Sequence, residues 1–490
     1  MMETTNGNLP QVAPRWPLYL ALGIALVIWC GVDVQRRGRI DPNRPEVHRT
    51  DFTCYTEAGR AFFDGRNPYE VTNPRGWGYA YPPLFAILLS PLSLLDSRVQ
   101  VTVWFFISVA VVWGLYCECA KLFRAFAPSE LQRPELERAT HWIVAAAMAV
   151  AALPLLNNLQ RGQADSLKLY LLILGVRLSL TGASWQAWLG GGCALAAAIV
   201  LKITPLLPVG FLLFILLARV VLRRASDPRG MARIAAVTSG VVCGAVMFLL
   251  FVPATLVGWQ ANLKHLDEFT HRKLVKANDY QAADATGNTR TIRNQSLSNS
   301  IIRLGSYIDY QFLGGPDDRI MDGDWRAARV MAMDSPSVQR ALLAARGGAV
   351  LLLLGVGLIC VWREDVLGQV ATIAMAGAAA LVVSPISRGS YYAELAPGVL
   401  ILPLWLLAHK MKGVSLLMAW GPVVMVVAHY LLLSFTGRIG LLGIGTAIWY
   451  AAALLSVAVC GHGGRHNTHN VRPNAAEPAP HAARFAGRAA

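Results

Sequence analysis

The amino-acid sequence predicts an all-α integral membrane protein, a polytopic bundle of about 11–13 transmembrane helices. Composition is the first observation behind this: of 490 residues, 55% are hydrophobic and 15% are charged, where soluble domains carry about a quarter charged residues. The second is that the apolar residues come in blocks, several near the roughly 20 residues that carry a helix across a bilayer. Backbone polar groups in lipid must be satisfied within their own segment, so the blocks are helices. A membrane β-barrel would show short alternating strands instead.

The blocks fall at 17–34, 99–121, 141–157, 163–181, 187–201, 203–222, 234–257, 341–361, 366–386, 392–408, 414–434 and 439–460. They define a single transmembrane domain over 1–460. The tail 461–490, rich in Gly, His, Pro and Ala, reads as disordered and cytoplasmic. A shorter apolar piece, Pro82 to Leu95, contains Pro82, Pro83 and Pro91 and reads as re-entrant or interfacial. The first block lacks a small-residue cleavage site after it and reads as a retained helix. The net charge of +15 fits Lys and Arg collected in cytoplasmic loops, and no basic-aromatic module for nucleic acid stands out. The eight cysteines (Cys30, Cys54, Cys117, Cys119, Cys193, Cys243, Cys360 and Cys460) form no CxxC pair and read as buried hydrophobes. No cofactor or metal constellation is visible. The run Asp317, Asp318, Asp322 and Asp324 is broken by Arg319 and lacks calcium-loop spacing.

Positive charge orients the chain. Arg219, Arg223, Arg224, Arg229 and Arg233 flank a junction placed in the cytoplasm. Alternation then puts 258–340 and 387–390 outside, and Arg363, Lys410 and Lys412 inside. Counting backwards puts the loop 35–81, the turn 160–165 and Lys202 at the extracytoplasmic side. Arg36, Arg37, Arg39 and Arg44 run against this count, so either it is off by one or these arginines meet something anionic outside.

The stretch 49–83 carries the most information. Phe52, Tyr55, Ala58, Phe62 and Phe63 recur at helical spacing, which predicts a short amphipathic helix after Asp51. Asp51 then either caps that helix or does chemistry. Residues 65–69 read as a turn, and Tyr69, Trp77, Tyr79 and Tyr81 as an interfacial aromatic band. Lys202, between two apolar blocks, either snorkels to the interface or serves a function. Acids at mid-span are nearly absent, Glu118 being the nearest case, which speaks against a secondary transporter.

Asp51, Tyr55, Ala58, Gly65, Asn67, Pro68 and Tyr69, followed by Tyr81-Pro82-Pro83-Leu84-Phe85, resemble the polyprenyl-phosphate-mannose-dependent mannosyltransferases of glycosyltransferase family 87. Gly162-Gln163-Ala164-Asp165 resembles the family's Gly-Gln-x-Asn, and Leu201-Lys202-Ile203-Thr204-Pro205 its Leu-Lys-x-x-Pro. Asn294-Gln295-Ser296-Leu297, with Arg303 after it, and Ser384-Pro385-Ile386-Ser387 follow in family order. Two departures stand out: Asp165 replaces the usual Asn, and Arg388 to Tyr392 replace a Trp and His. The resemblance implies the multi-span GT-C fold in a bacterial plasma membrane, with Asp51 as extracytoplasmic general base. It implies a polyprenyl-phosphate sugar donor, a lipid or glycan acceptor, and transfer with inversion. Arg49, Arg161, Lys202, Arg303 and Arg388 are the candidate phosphate ligands. Gln163, Asp165, Asn294 and Gln295 are candidates for sugar hydroxyls, and Tyr55, Tyr69, Tyr81, Tyr391 and Tyr392 for contacts with substrate. A transporter or flippase, or a scaffold subunit of the same fold, are the competing readings.

Overall fold

The computed structural model describes residues 16–44, 47–74, 76, 78–127, 134–222, 229–271, 294–315 and 335–460. Arg223, Arg224, Trp77, residues 272–293 and 316–334 (with the acidic run at 317–324) and the tail beyond Cys460 lie outside the described residues. Among the described residues the chain is helical, and strand pairing is limited to isolated bridges, Thr72 with Gly78 and Asn294 with Arg388.

The chain runs α1 (Trp16–Arg37), α2 (Phe52–Phe63), α3 (Pro83–Leu89), α4 (Ser97–Phe126), α5 (Pro134–Arg161), α6 (Asp165–Thr181), α7 (Trp185–Leu201), α8 (Leu206–Leu222) and α9 (Gly230–Val246). It continues with α10 (Val252–Val257), α11 (Trp259–Phe269), α12 (Leu297–Phe312), α13 (Pro336–Trp362), α14 (Val366–Val383), α15 (Ala396–Ala408), α16 (Lys412–Leu431), α17 (Leu433–Thr436) and α18 (Leu441–Cys460). Eight helical stretches among the described residues are long and apolar enough to cross a membrane, and Pro83–Leu94, Trp185–Leu201 and Leu206–Leu222 are shorter apolar helices. The protein is therefore an all-α, many-span membrane protein. The piece Pro83–Leu94 is about 18 Å long at helical rise, short of the roughly 30 Å hydrocarbon core. The 234–257 block is one helical stretch with a π turn at Met247–Phe251. That turn precedes Pro253, whose missing N–H breaks the regular bonding pattern.

Burial ranks the helices. In α14, 78% of the most apolar stretch is enclosed by protein, and in the Gly389–Ala408 stretch 83%, against 17% for Gly230–Val257. A helix apolar on every side belongs at the centre of a bundle, and α14 and α15 fill that place. A short 3₁₀ segment, Gly389–Leu395, leads into α15. Small residues let it lie against α14: a Cβ on Gly377 would fall 2.8 Å from the Glu394 carbonyl oxygen.

The acids near the ends of apolar helical segments each have a cation that offsets burial. Asp33 in α1 pairs with Arg37 at 2.8 Å, Glu118 in α4 with Lys121 at 2.7 Å and with Arg177, and Glu394 in the 389–395 segment with Lys168. One expectation is corrected here: Tyr69 and Tyr79 are not an interfacial band. They are buried with Phe52, Tyr55, Phe85 and Trp104 in a separate core under the 47–94 region. Phe52 stacks on Trp104 with ring centroids 4.7 Å apart. Helix α2 forms at the expected place, with Phe52, Tyr55, Ala58 and Phe62 buried and Phe63 exposed.

Helices α2 and α3 meet at Gly59, where a Cβ would sit 2.1 Å from the Ala86 carbonyl oxygen. Backbone cannot yield there as a flexible side chain would. Gly59→Val should destabilise the protein by about 1–3 kcal/mol, read as a lower thermal unfolding midpoint in detergent.

Candidate active site

The site is built on two turns clasped together. Helix α5 ends at Arg161 and α6 begins at Asp165, so the chain must reverse within three residues. Gly162 does this at φ +66°, a conformation that glycine adopts without strain. There is also no room for a side chain, since a Cβ would lie 2.9 Å from both Phe52 Cβ and Thr50 Oγ1. The Gly162 carbonyl accepts from Trp104 Nε1 at 3.0 Å. The Arg161 carbonyl accepts from the Asp51 N–H at 2.7 Å and from Thr50 Oγ1 at 3.3 Å. The turn of residues 161–163 thus rests on the entry to α2.

Asp51 occupies the N-cap position of α2 but makes no capping bond with its side chain. Thr50 Oγ1 accepts from the Phe52 N–H at 3.2 Å, which leaves the Asp51 carboxylate for other partners. Its Oδ2 is ion-paired with Arg161 Nη2 at 3.0 Å and accepts from Gln163 Nε2 at 2.9 Å. Among the described residues Oδ1 accepts no hydrogen bond. Arg161 and Asp51 keep 19% and 14% side-chain exposure, so the carboxylate is held on one oxygen and reachable on the other. Gln163 passes the grip onward: its Oε1 accepts from Ser390 Oγ at 3.1 Å. The Ser390 carbonyl in turn accepts from Asn158 Nδ2 at 3.3 Å.

One helical turn further, Asp165 Oδ1 holds two ammonium groups, Lys202 at 2.7 Å and Lys168 at 3.1 Å. Lys168 also pairs with Glu394 and donates to Thr204 Oγ1 at 3.3 Å. The Lys202 ammonium lies 3.5 Å from the centroid of the Tyr391 ring and 5.8 Å from that of Tyr81. Tyr81 and Tyr55 share a hydroxyl contact of 3.3 Å. Burial alone would push Lys202 down, but Asp165, Tyr391 and Tyr81 more than offset it, and the lysine is raised above its ordinary range. It therefore stays charged at neutral pH. Tyr81 is pushed up to about 12 by burial, against the pull of Lys202, and stays neutral.

The structure thus brings Asp51, Arg161, Gln163, Asp165, Lys202, Tyr55, Tyr81 and Tyr391 into one polar seam. Lys202 is held in the seam by Asp165, with 12% of its side chain accessible, rather than extended away from the protein. Arg49, two residues before Asp51, is exposed, its carbonyl accepting from Arg37 Nη1 at 3.4 Å. Tyr69 supports the seam from behind, donating to the Tyr81 carbonyl at 3.3 Å.

Other candidates hold the fold rather than face the seam. Asn294 Oδ1 accepts from the Ser387 and Ser296 N–H groups at 3.0 and 3.1 Å. The Gln295 N–H bonds the Ser387 carbonyl at 2.5 Å, and its Nε2 donates to the Gly437 carbonyl at 3.2 Å. Both residues are fully buried and act as struts, because only side-chain amides and backbone groups can satisfy this non-helical crossing inside the bundle. Tyr392 is buried and donates to the Gln295 carbonyl at 2.7 Å, so it neither stacks on a sugar nor anchors at an interface. Arg303 is buried beside Tyr392 and His429, and Arg388 bridges Asn294 through its backbone.

Sequence reading missed Lys168, Glu394, Ser390 and Asn158. The signal for the first two was present: each is a charge inside an apolar block, which is expensive unless it has a partner. Among the described residues no group of three or more His, Cys, Asp or Glu side chains could hold a metal ion.

The fold and site together define a many-helix membrane protein with one carboxylate gripped beside buried lysines. Residues 79–385, more than half of the chain, match the profile of glycosyltransferase family 87, and the protein belongs to that family. Asp51 lies upstream of the matched segment, so its place in the site comes from geometry. The crystal structure of ArnT from Cupriavidus metallidurans bound to undecaprenyl phosphate aligns over 92% of this chain and 78% of that one, at 14% identity and a TM-score of 0.34. No curated protein matches the chain.

Gly162→Ala forces a side chain into a positive-φ turn and against Phe52. It should lose more than about 1 kcal/mol of stability, seen as a lower unfolding midpoint. Gly347→Ala, at a site with open space around it, should not.

Proposed function

We propose that the protein transfers a hexose, mannose by its family likeness, from a polyprenyl-phosphate donor to a hydroxyl of a lipid or glycan acceptor on the extracytoplasmic face. Asp51 is the base. The observation that carries this is the one-sided grip on its carboxylate: Oδ2 is fixed by Arg161 and Gln163 while Oδ1 is open. A base needs this arrangement, with orientation fixed and one lone-pair face available.

In the reaction Oδ1 takes the proton of the acceptor hydroxyl as that oxygen attacks the anomeric carbon. The bond from that carbon to the phosphate oxygen breaks, and its electron pair leaves on the phosphate. Attack from the face opposite the leaving group inverts the anomeric centre. Lys202, charged and beside Tyr81 and Tyr391, supplies the cation where negative charge develops. Arg161 lies on the other side of Gln163 and is the second candidate.

The test of the base is Asp51→Asn in purified protein supplied with polyprenyl-phosphate-mannose and a membrane extract. The amide keeps the shape but cannot take the proton, so transfer should fall by about 10²–10⁴. An unchanged rate would remove Asp51 from this role. The face is tested separately. Arg66, exposed just after α2, becomes a reporter as Arg66→Cys, and a membrane-impermeant maleimide should label it on intact cells. Labelling only after the membrane is opened would reverse the orientation.

A further inference from the structure

Lys202 has a built-in competitor for any phosphate. Its ammonium lies 2.7 Å from Asp165 Oδ1, and the same oxygen also binds Lys168 at 3.1 Å. Lys168 is bound a second time by Glu394. The exposures are graded: Lys202 keeps 12% of its side chain accessible, while Asp165, Glu394 and Lys168 keep 4%, 5% and 1%. The only one of the four with an outward face is therefore the lysine that a phosphate can reach. The other three form a sealed backing, and the four charges sum to zero.

We propose that Asp165, Lys168 and Glu394 are positioning residues that trim the grip of Lys202 on phosphate, so that the spent polyprenyl phosphate is released. This rests on the donor chemistry proposed above. The donor is a phosphodiester with one negative charge. The product is a monoester, which carries about −1.5 to −2 at neutral pH. Cleavage thus adds negative charge to the leaving group, and an unopposed cation would hold product more tightly than substrate. Asp165 opposes it, since a phosphate must win Lys202 away from the carboxylate, and Asp165 reclaims the lysine on release. Lys168 makes the exchange reversible by keeping Asp165 partnered while Lys202 is engaged. Glu394 balances Lys168 and fixes it to the segment that carries Ser390 and Tyr391.

The proposal predicts opposite signs from neighbouring substitutions, which a structural role does not. The probe is farnesyl phosphate, a short prenyl monophosphate, measured for binding to the purified full-length protein and for inhibition of transfer. Asp165→Asn and Glu394→Gln each leave the cluster one positive charge in excess and should tighten the probe roughly fivefold. Lys168→Met leaves one negative charge in excess and should loosen it by a similar factor. Lys202→Met should abolish binding. If Lys168→Met does not fold, the two carboxylate variants decide the matter. Loss of binding in Lys202→Met with no tightening in either carboxylate variant overturns the release proposal and leaves the donor reading standing. Wild-type binding that survives Lys202→Met, or no wild-type binding at all, overturns both.

Discussion

Everything in the seam depends on the contact between two turns, 50–52 and 161–163. The Asp51 N–H and Thr50 hydroxyl both close on the Arg161 carbonyl, and the Trp104 indole closes on that of Gly162. These bonds lock the extramembrane entry to α2 onto the joint between two core helices. Only then do Arg161 and Gln163, one residue on either side of Gly162, reach the same carboxylate oxygen, the first as an ion pair and the second by a hydrogen bond. A substituent at Gly162 would separate the turns, and a longer link from α5 to α6 would move the donors apart. The turn is short because both jobs, reversing the chain and gripping Asp51, fall to the same three residues.

The buried acids in and around the seam follow one rule. Taking an ion out of water costs several kcal/mol even after relaxation, and a partner recovers this only when geometry is good. Every buried acid described above has a cation within reach, and the site's lysines follow the same rule. The helices that supply these charges are the interior ones. Helix α6 carries Asp165, Lys168 and Arg177 yet stays in the bundle because its charges face α4, the α7–α8 junction and the 389–395 segment. At 17 residues it is also shorter than any of the eight long apolar spans. Charge that looks like a defect in a lipid-crossing helix is here the link between three parts of the protein.

Much of the fold was legible in the sequence because lipid imposes a length and a composition that a single chain displays openly. The blocks, the short helix after Asp51 and the non-crossing piece at 82–95 all follow from period and length. Asp51, Arg161, Gln163, Asp165 and Lys202 were legible as motif residues, and the bundle does bring them together. What was not legible is who pairs with whom. Asn294, Gln295 and Tyr392 look like sugar ligands in one dimension, yet they brace the 384–392 loop. Lys168 and Glu394 are 226 residues apart, and nothing local tells an isolated charge from a bridged one. The tyrosines at 69 and 79 misled for a related reason: an aromatic cluster beside a membrane segment has the same composition whether it faces headgroups or a small core of its own.

Ser390 has one further implication, for how such an enzyme can diverge. Its hydroxyl holds the amide that steers Asp51, and its carbonyl is pinned by Asn158. Ser390 lies within Arg388 to Tyr392, the stretch read from the sequence as a departure from the family resemblance. Changing that stretch would also disturb the hydrogen bonds that hold Gln163 against Asp51. A relative's version of the segment would fit only with a matching residue at 163 and a matching helix end at 158, so these three parts of the chain must change together.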